Sequence, residues 1–246
     1  YMHEYLGESM TAAGVVMFVM SLCMMAGNYL GGYLYDRWNP YQAAVIPVIF
    51  ATISAVLLIF LHNWPFFAVW LCVISFADGS SITVINSYGT KVKGQSTRYV
   101  FNMLYMAMNI GVVIGTLLVG VLLPISSSLV FTTTAVFYGL FLLITILFFN
   151  VPLDHQAHAH QLEKETHRSS SHNVHIVYAI CTCLMTIYLS YVLWETVMSV
   201  RINNMHIPFF AYSLLWTING GVIMVGQPLV NKLANYINVR NQIIWG

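Results

Sequence analysis

Seven apolar runs, each long enough to cross a lipid bilayer, divide this chain at approximately 11–35, 42–62, 65–88, 98–123, 128–150, 175–196 and 208–233. A hydrocarbon core about 30 Å thick takes roughly 20 residues of α-helix to span. No water is available there to pair with backbone N–H and C=O groups, so each run must satisfy its own backbone as a helix. A transmembrane barrel would show alternating segments of about ten residues instead, and no such alternation is present. The chain is therefore predicted to be an all-α membrane protein with seven transmembrane helices.

Composition agrees. Charged residues make up 7% of the chain and hydrophobic residues 59%, whereas a water-soluble domain carries about 25% charged residues. Most of the outer surface must then face lipid. The nine basic residues balance eight acids and are scattered, so nothing points to nucleic acid as a partner. Cys23, Cys72, Cys181 and Cys183 all lie in apolar segments without metal-type spacing and read as small buried residues. No basic segment followed by a short apolar stretch and a cleavage site is seen, and both ends read as cut.

Local signals punctuate the runs. Asn39-Pro40 closes the first, Asn63-Trp64-Pro65 separates the second from the third, Pro124 ends the fourth, and Pro208 starts the seventh, where a missing N–H costs nothing. The positive-inside rule sets the orientation. If the loop at Asp36 and Arg37 is cytoplasmic, eight of the nine Lys and Arg residues fall inside: Arg37, Lys91, Lys93, Arg98, Lys164, Arg168, Lys232 and Arg240, with Arg201 outside. The long polar stretch 151–174 reads as a cytoplasmic linker between an N-terminal bundle, 1–150, and the start of a C-terminal bundle, 175–246. Its histidines, His155, His158, His160, His167 and His172, read as part of a solvated loop more readily than as a metal site.

An internal echo links the two parts. Gly31-Gly32-Tyr33-Leu34-Tyr35-Asp36-Arg37 aligns with Gly226-Gln227-Pro228-Leu229-Val230-Asn231-Lys232 at an offset of 195 residues, at the same end of a span in each. Parallel repeats of this kind occur in duplicated transporters. The run Gly32-x-x-x-Asp36-Arg37 resembles the motif joining the second and third helices of the major facilitator superfamily, with Asn39, Tyr41 and Gln42 departing from its tail. Asn109-Ile110-Gly111-Val112-Val113-Ile114-Gly115-Thr116-Leu117-Leu118-Val119-Gly120 resembles the superfamily's fifth-helix antiporter motif. The Arg of its fourth-helix motif would fall at Ser75.

The resemblance implies an incomplete bundle of that family's type, holding its helices two to eight, that is, helices two to six before the linker and seven, eight and the start of nine after it. It also implies alternating access, with Gly32, Asp36 and Arg37 as a gating motif. The residues add their own reading. Asp78 lies midway along its span, where an acid costs roughly 2.5–3.5 kcal/mol and usually faces a cavity or a partner, so it is the first candidate for a proton or substrate pathway, with a structural acid as the rival. Glu195, near a span end beside Trp194, is the second, and snorkelling to water explains it equally well.

Asn102, Tyr105 and Asn109 share one helix face, continued by Thr116. That stripe either lines a path or bonds across helices, and Asn28, Asn86 and Asn219 carry the same ambiguity. Gly111 and Gly115, with Gly120, form a helix-packing motif. Met10, Met17, Met20, Met24 and Met25 read as packing or lipid-facing residues.

The sum of these readings is a secondary transporter, a monomer when full length, exporting small amphipathic organic compounds against protons across the cell membrane. Proton-coupled uptake of a sugar or peptide is the nearest alternative, and a non-transporting or truncated membrane protein a third. No nucleophile elbow, metal pair or phosphate loop suggests an enzyme, and no cofactor or resident metal is expected.

Overall fold

A computed structural model of the chain describes residues 2, 6–91, 97–150, 171–205, 207–233 and 241. Among these are seven α-helices and no strand: α1 (Met10–Arg37), α2 (Pro40–Phe60), α3 (Phe66–Thr90), α4 (Thr97–Leu122), α5 (Ser127–Phe148), α6 (Ser171–Asn204) and α7 (Phe209–Leu233). Each matches one apolar run. The first five are long and apolar enough to cross a membrane, and the apolar stretch described on α6 is Cys181–Trp194. The histidines at 155, 158, 160 and 167 lie outside the described residues.

Capping explains the sharp ends. Ser9 Oγ accepts from the Ala12 N–H at 3.0 Å, and Asn39 Oδ1 accepts from the Tyr41 N–H at 2.9 Å, with Pro40 at the first helical position. Ser126 Oγ accepts from the Ser128 N–H at 3.2 Å. One helix departs from expectation at both ends: α6 begins at Ser171, inside the stretch predicted as linker, and runs to Asn204, past the predicted end at 196. A helix need not end at the membrane surface, because polar residues can carry its hydrogen-bond ladder on into water.

The interior is assembled from small residues and the exterior from large ones. Ala43 and Ala55 are fully buried and Ser80 and Ser54 nearly so, while Phe18, Met25, Phe60 and Phe148 stand exposed. Lipid tails are as apolar as a leucine side chain, so helices gain by letting backbones approach closely and leaving bulk to face lipid. Buried residues on α2 fall at 40, 43, 44, 47, 48, 51, 54, 55 and 58, a helical stripe turned toward α3 and α5.

The tightest contact lies between α1 and α3. A Cβ added at Gly27 would sit 1.9 Å from the Phe76 carbonyl oxygen, one at Gly31 would sit 2.7 Å from Ser80 Cα, and one at Gly79 would sit 2.1 Å from the Met24 carbonyl oxygen. Thr83 Oγ1 donates to Asn28 Oδ1 at 3.0 Å across the same seam. Near the Arg37 end the seam closes over aromatic rings, with Tyr35 against Tyr88 and Tyr88 against Phe149 at centroid separations of 5.4 and 4.9 Å. The Tyr88 hydroxyl donates to the Phe149 carbonyl at 3.0 Å.

Tyr138 of α5 bonds to both α2 and α3, and the Tyr41 hydroxyl of α2 also donates to the Ile146 carbonyl at 3.3 Å. Thr52 Oγ1 on α2 donates to the Tyr138 carbonyl at 3.2 Å, and the Tyr138 hydroxyl reaches Asp78 on α3. Helix α4 packs mainly on α7, where a Cβ at Gly120 would meet Ser213 Cβ at 2.6 Å and one at Gly220 would meet Val113 Cγ2 at 2.4 Å.

Candidate functional site

Two polar arrangements stand out in an otherwise apolar structure. The first is a cavity of about 520 Å³ between α4 and α7, with Tyr191 of α6 at its side. Asn109, Gly115 and Thr116 enter from α4, and Ser213 and Asn219 from α7. Helical spacing puts Asn109 and Thr116 on one face, two turns apart, so a single orientation of α4 presents both.

Most of the polar atoms are anchored to their own helix. The Asn109 amide donates to the Tyr105 carbonyl at 2.8 Å. The Thr116 hydroxyl donates to the Val112 carbonyl at 2.7 Å and lies 3.5 Å from Thr217 Oγ1 across the gap. Aromatic rings form the opposite wall: Tyr191 meets Trp216 edge to face at 5.6 Å, and Tyr212 meets Trp216 at 6.5 Å. The lining sets amides, hydroxyls and π-faces among the aliphatic side chains of Val112, Val119 and Ile223, with no acid or base among its residues. Such a surface suits a compound with an apolar or aromatic body and a few hydrogen-bonding groups.

The second arrangement joins Asp78 to Tyr138. The Tyr138 hydroxyl lies 2.8 Å from Asp78 Oδ1 and 3.0 Å from Oδ2, so one phenol serves both carboxylate oxygens. Asp78 is half-buried between α3 and α5 and is not among the cavity's lining residues. A carboxylate in this setting leans on very few polar neighbours, and Tyr138 is its partner here.

Other residues singled out by sequence fall in various places. Asn219 lines the cavity with Asn109. Asn102 is half-buried on α4 and Tyr105 exposed, and neither lines the cavity. Glu195 lies on α6 with its side chain outside the described set. Asp36 and Arg37 are both exposed at the end of α1, and the Arg37 guanidinium sits 5.5 Å from the Tyr33 ring centroid. Gly32 would bring a Cβ into ordinary contact with Thr83, at 3.5 Å.

The glycines expected to pack helices divide. Gly120 meets α7 closely, whereas no atom lies within 4 Å of where a Cβ would stand at Gly111 or Gly115. Gly115 lines the cavity instead. The close-packing pair is Gly27-x-x-x-Gly31 on α1, which has the same spacing and faces the small residues Gly79 and Ser80. Sequence reading also passed over Tyr138, Tyr191, Tyr212 and Trp216. A hydroxyl or indole inside an apolar run was a visible signal for all four, but nothing in the sequence said what each would face.

Apolar helices long enough to cross a membrane, packed on small-residue seams, define a multi-pass integral membrane protein. The model of the Major Facilitator Superfamily matches residues 1–246, and the chain belongs to that superfamily. It is 31% identical over 232 residues to an uncharacterized MFS-type transporter, YttB, of Bacillus subtilis (strain 168). That alignment takes in 94% of this chain and 58% of the relative, so the chain spans less than two thirds of that protein's length. No solved structure matches it significantly.

Proposed function

We propose that this chain is part of a secondary active transporter that exports small amphipathic organic compounds against protons by alternating access across the cell membrane. The observation that carries the reading is the cavity between α4 and α7, whose walls combine Asn109, Thr116 and Asn219 with the rings of Tyr191, Tyr212 and Trp216. In a chain of this superfamily, a chamber between helices from either side of the linker is where a cargo would be held. Uncharged hydrogen-bonding groups fix orientation, and aromatic faces take the apolar body.

Asp78 is the proposed proton carrier. As a carboxylate it accepts from the Tyr138 hydroxyl through both oxygens. Taking up a proton removes its charge and turns one oxygen into a donor, so the phenol must give up one of its two contacts. The local change falls at the junction of α2, α3 and α5, because Tyr138 is also held by Thr52. A proton could thus bias the packing of these helices without touching the cargo, through a difference in affinity between two states. The proposed arrangement puts the loop at Asp36 and the stretch 151–174 in the cytoplasm, with bundles at 1–150 and from 175 onward, and the full-length protein working as a monomer in the bilayer without a cofactor. Gly32, Asp36 and Arg37 would act as its gate.

The test uses full-length protein in liposomes, comparing wild type with Asp78→Asn for proton flux driven by a panel of amphipathic compounds. Loss of coupled flux with compound binding retained is expected. Unchanged flux would make Asp78 a structural acid, and inward movement of compound with protons would replace export by uptake. Absence of flux from wild type with every compound would contradict transport itself.

A further inference from the structure

The seam between α1 and α3 has a regular register. Gly27 meets Phe76 and Gly31 meets Ser80, two pairs with the same offset and one helical turn apart. One turn earlier on the same line stand Cys23 and Cys72. Both are free and half-buried, and both line one groove. The placement follows from the crossing: the backbones touch at Gly27, and the same offset one turn earlier sets Cys23 and Cys72 at one level of the two parallel helices.

Both thiols open onto an apolar groove of about 650 Å³ walled by residues such as Val19, Phe50, Val69 and Phe76. No charged group and no hydrogen-bonding group other than the thiols lines it. The volume falls within the range of small-molecule pockets, roughly 300–1,000 Å³. Two thiols select a soft centre, and a groove without counter-charge disfavours any adduct that carries net charge.

We propose that Cys23 and Cys72 form a two-point binding site for neutral, lipid-soluble thiophilic compounds, those with one soft centre bearing two exchangeable ligands. A monosubstituted trivalent arsenical is the simplest member. With phenylarsine oxide the two S–H bonds break, two As–S bonds form, and both protons leave with the arsenic-bound oxygen as one water. Arsenic stays trivalent, no oxidant or reductant is required, and the adduct is neutral. The second bond is intramolecular, which makes capture about 10²- to 10⁴-fold tighter than at a single thiol. This site is separate from the cavity between α4 and α7, and it stands whether or not the chain transports protons.

The test uses the full-length protein in lipid nanodiscs with every cysteine except Cys23 and Cys72 changed to Ser, Cys181 and Cys183 among them. Those two exposed cysteines stand two apart on α6 and do not face each other. Phenylarsine oxide is added, and the adduct is followed by intact mass and by alkylation of the remaining thiols. The expected result is one arsenical per chain, simultaneous protection of Cys23 and Cys72, resistance to a monothiol and release by a dithiol. Cys23→Ala and Cys72→Ala should each weaken capture at least 100-fold and make it reversible by the monothiol, while a thermal melt confirms that each variant is folded. If the monothiol strips the adduct from the two-thiol protein as easily as from the single variants, or Cys23 and Cys72 are modified independently, the site does not exist.

Discussion

Gly27→Ala is the substitution on which the packing account is most exposed. Its new Cβ would lie 1.9 Å from the Phe76 carbonyl oxygen, and since ordinary contact begins near 3.4 Å, the helices must part there by about 1.5 Å. The obstacle is backbone, so no rotamer change relieves it. A gap of 0.5–1 Å already forfeits a quarter to a half of each contact, and each atom pair contributes about 0.1–0.2 kcal/mol. A crossing with on the order of 25 such pairs therefore loses about 2 kcal/mol, within the usual range for overpacking of about 1–3 kcal/mol. Gly111→Ala is the control. With no neighbour within 4 Å of its Cβ, it should be neutral or gain up to about 1 kcal/mol from helix propensity. Denaturant-driven unfolding in mild detergent, followed by tryptophan fluorescence or circular dichroism, reads both. Should Gly27→Ala unfold with wild type while Gly111→Ala falls below it, the assignment of the close crossing to α1 and α3 is wrong.

Further outcomes follow from named contacts. Tyr138→Phe removes the hydroxyl that serves both oxygens of Asp78, and a hydrogen bond to a charged group is worth about 1.5–3 kcal/mol; the same unfolding assay should show that loss, and pairing it with Asp78→Asn should give less than the sum of the single effects. Trp216→Ala opens the aromatic wall of the cavity, so affinity for an aromatic compound should fall by up to about tenfold, matching the roughly 0.5–1.5 kcal/mol of an aromatic contact, with folding unchanged. Gly120→Ala drives a methyl group toward Ser213 and should cost about 1–3 kcal/mol, with cargo binding weakened because α4 and α7 no longer meet in register.

Helices were the legible part of this chain. A backbone in hydrocarbon must bond to itself, so every apolar run of sufficient length became a helix, all but α6 within about two residues of where the sequence placed it. The ends that moved were the polar ones of α6, Ser171 and Asn204, where lipid imposes no boundary. Contacts between helices were harder to read. Gly27-x-x-x-Gly31 and Gly111-x-x-x-Gly115 look alike as sequence, and what separates them is the helix opposite: α3 offers Gly79 and Ser80, whereas Gly115 looks into a cavity. The Asn109 and Thr116 face was visible from helical spacing, yet its opposite wall comes from residues about a hundred positions later. Asp78 could be singled out as costly, but Tyr138, sixty positions away, could not be assigned to it before the packing of α5 was known.

The central claim is that the cavity between α4 and α7 is a cargo chamber opened in turn to each side of the membrane. Single cysteines at Asn109 and Asn219, in full-length protein lacking its native cysteines, test it through labelling by a membrane-impermeant maleimide in right-side-out and inside-out vesicles. Alternating access predicts that both positions label from both sides, and that a transported compound slows labelling at both. Labelling from neither side, or labelling that no compound alters, would contradict it.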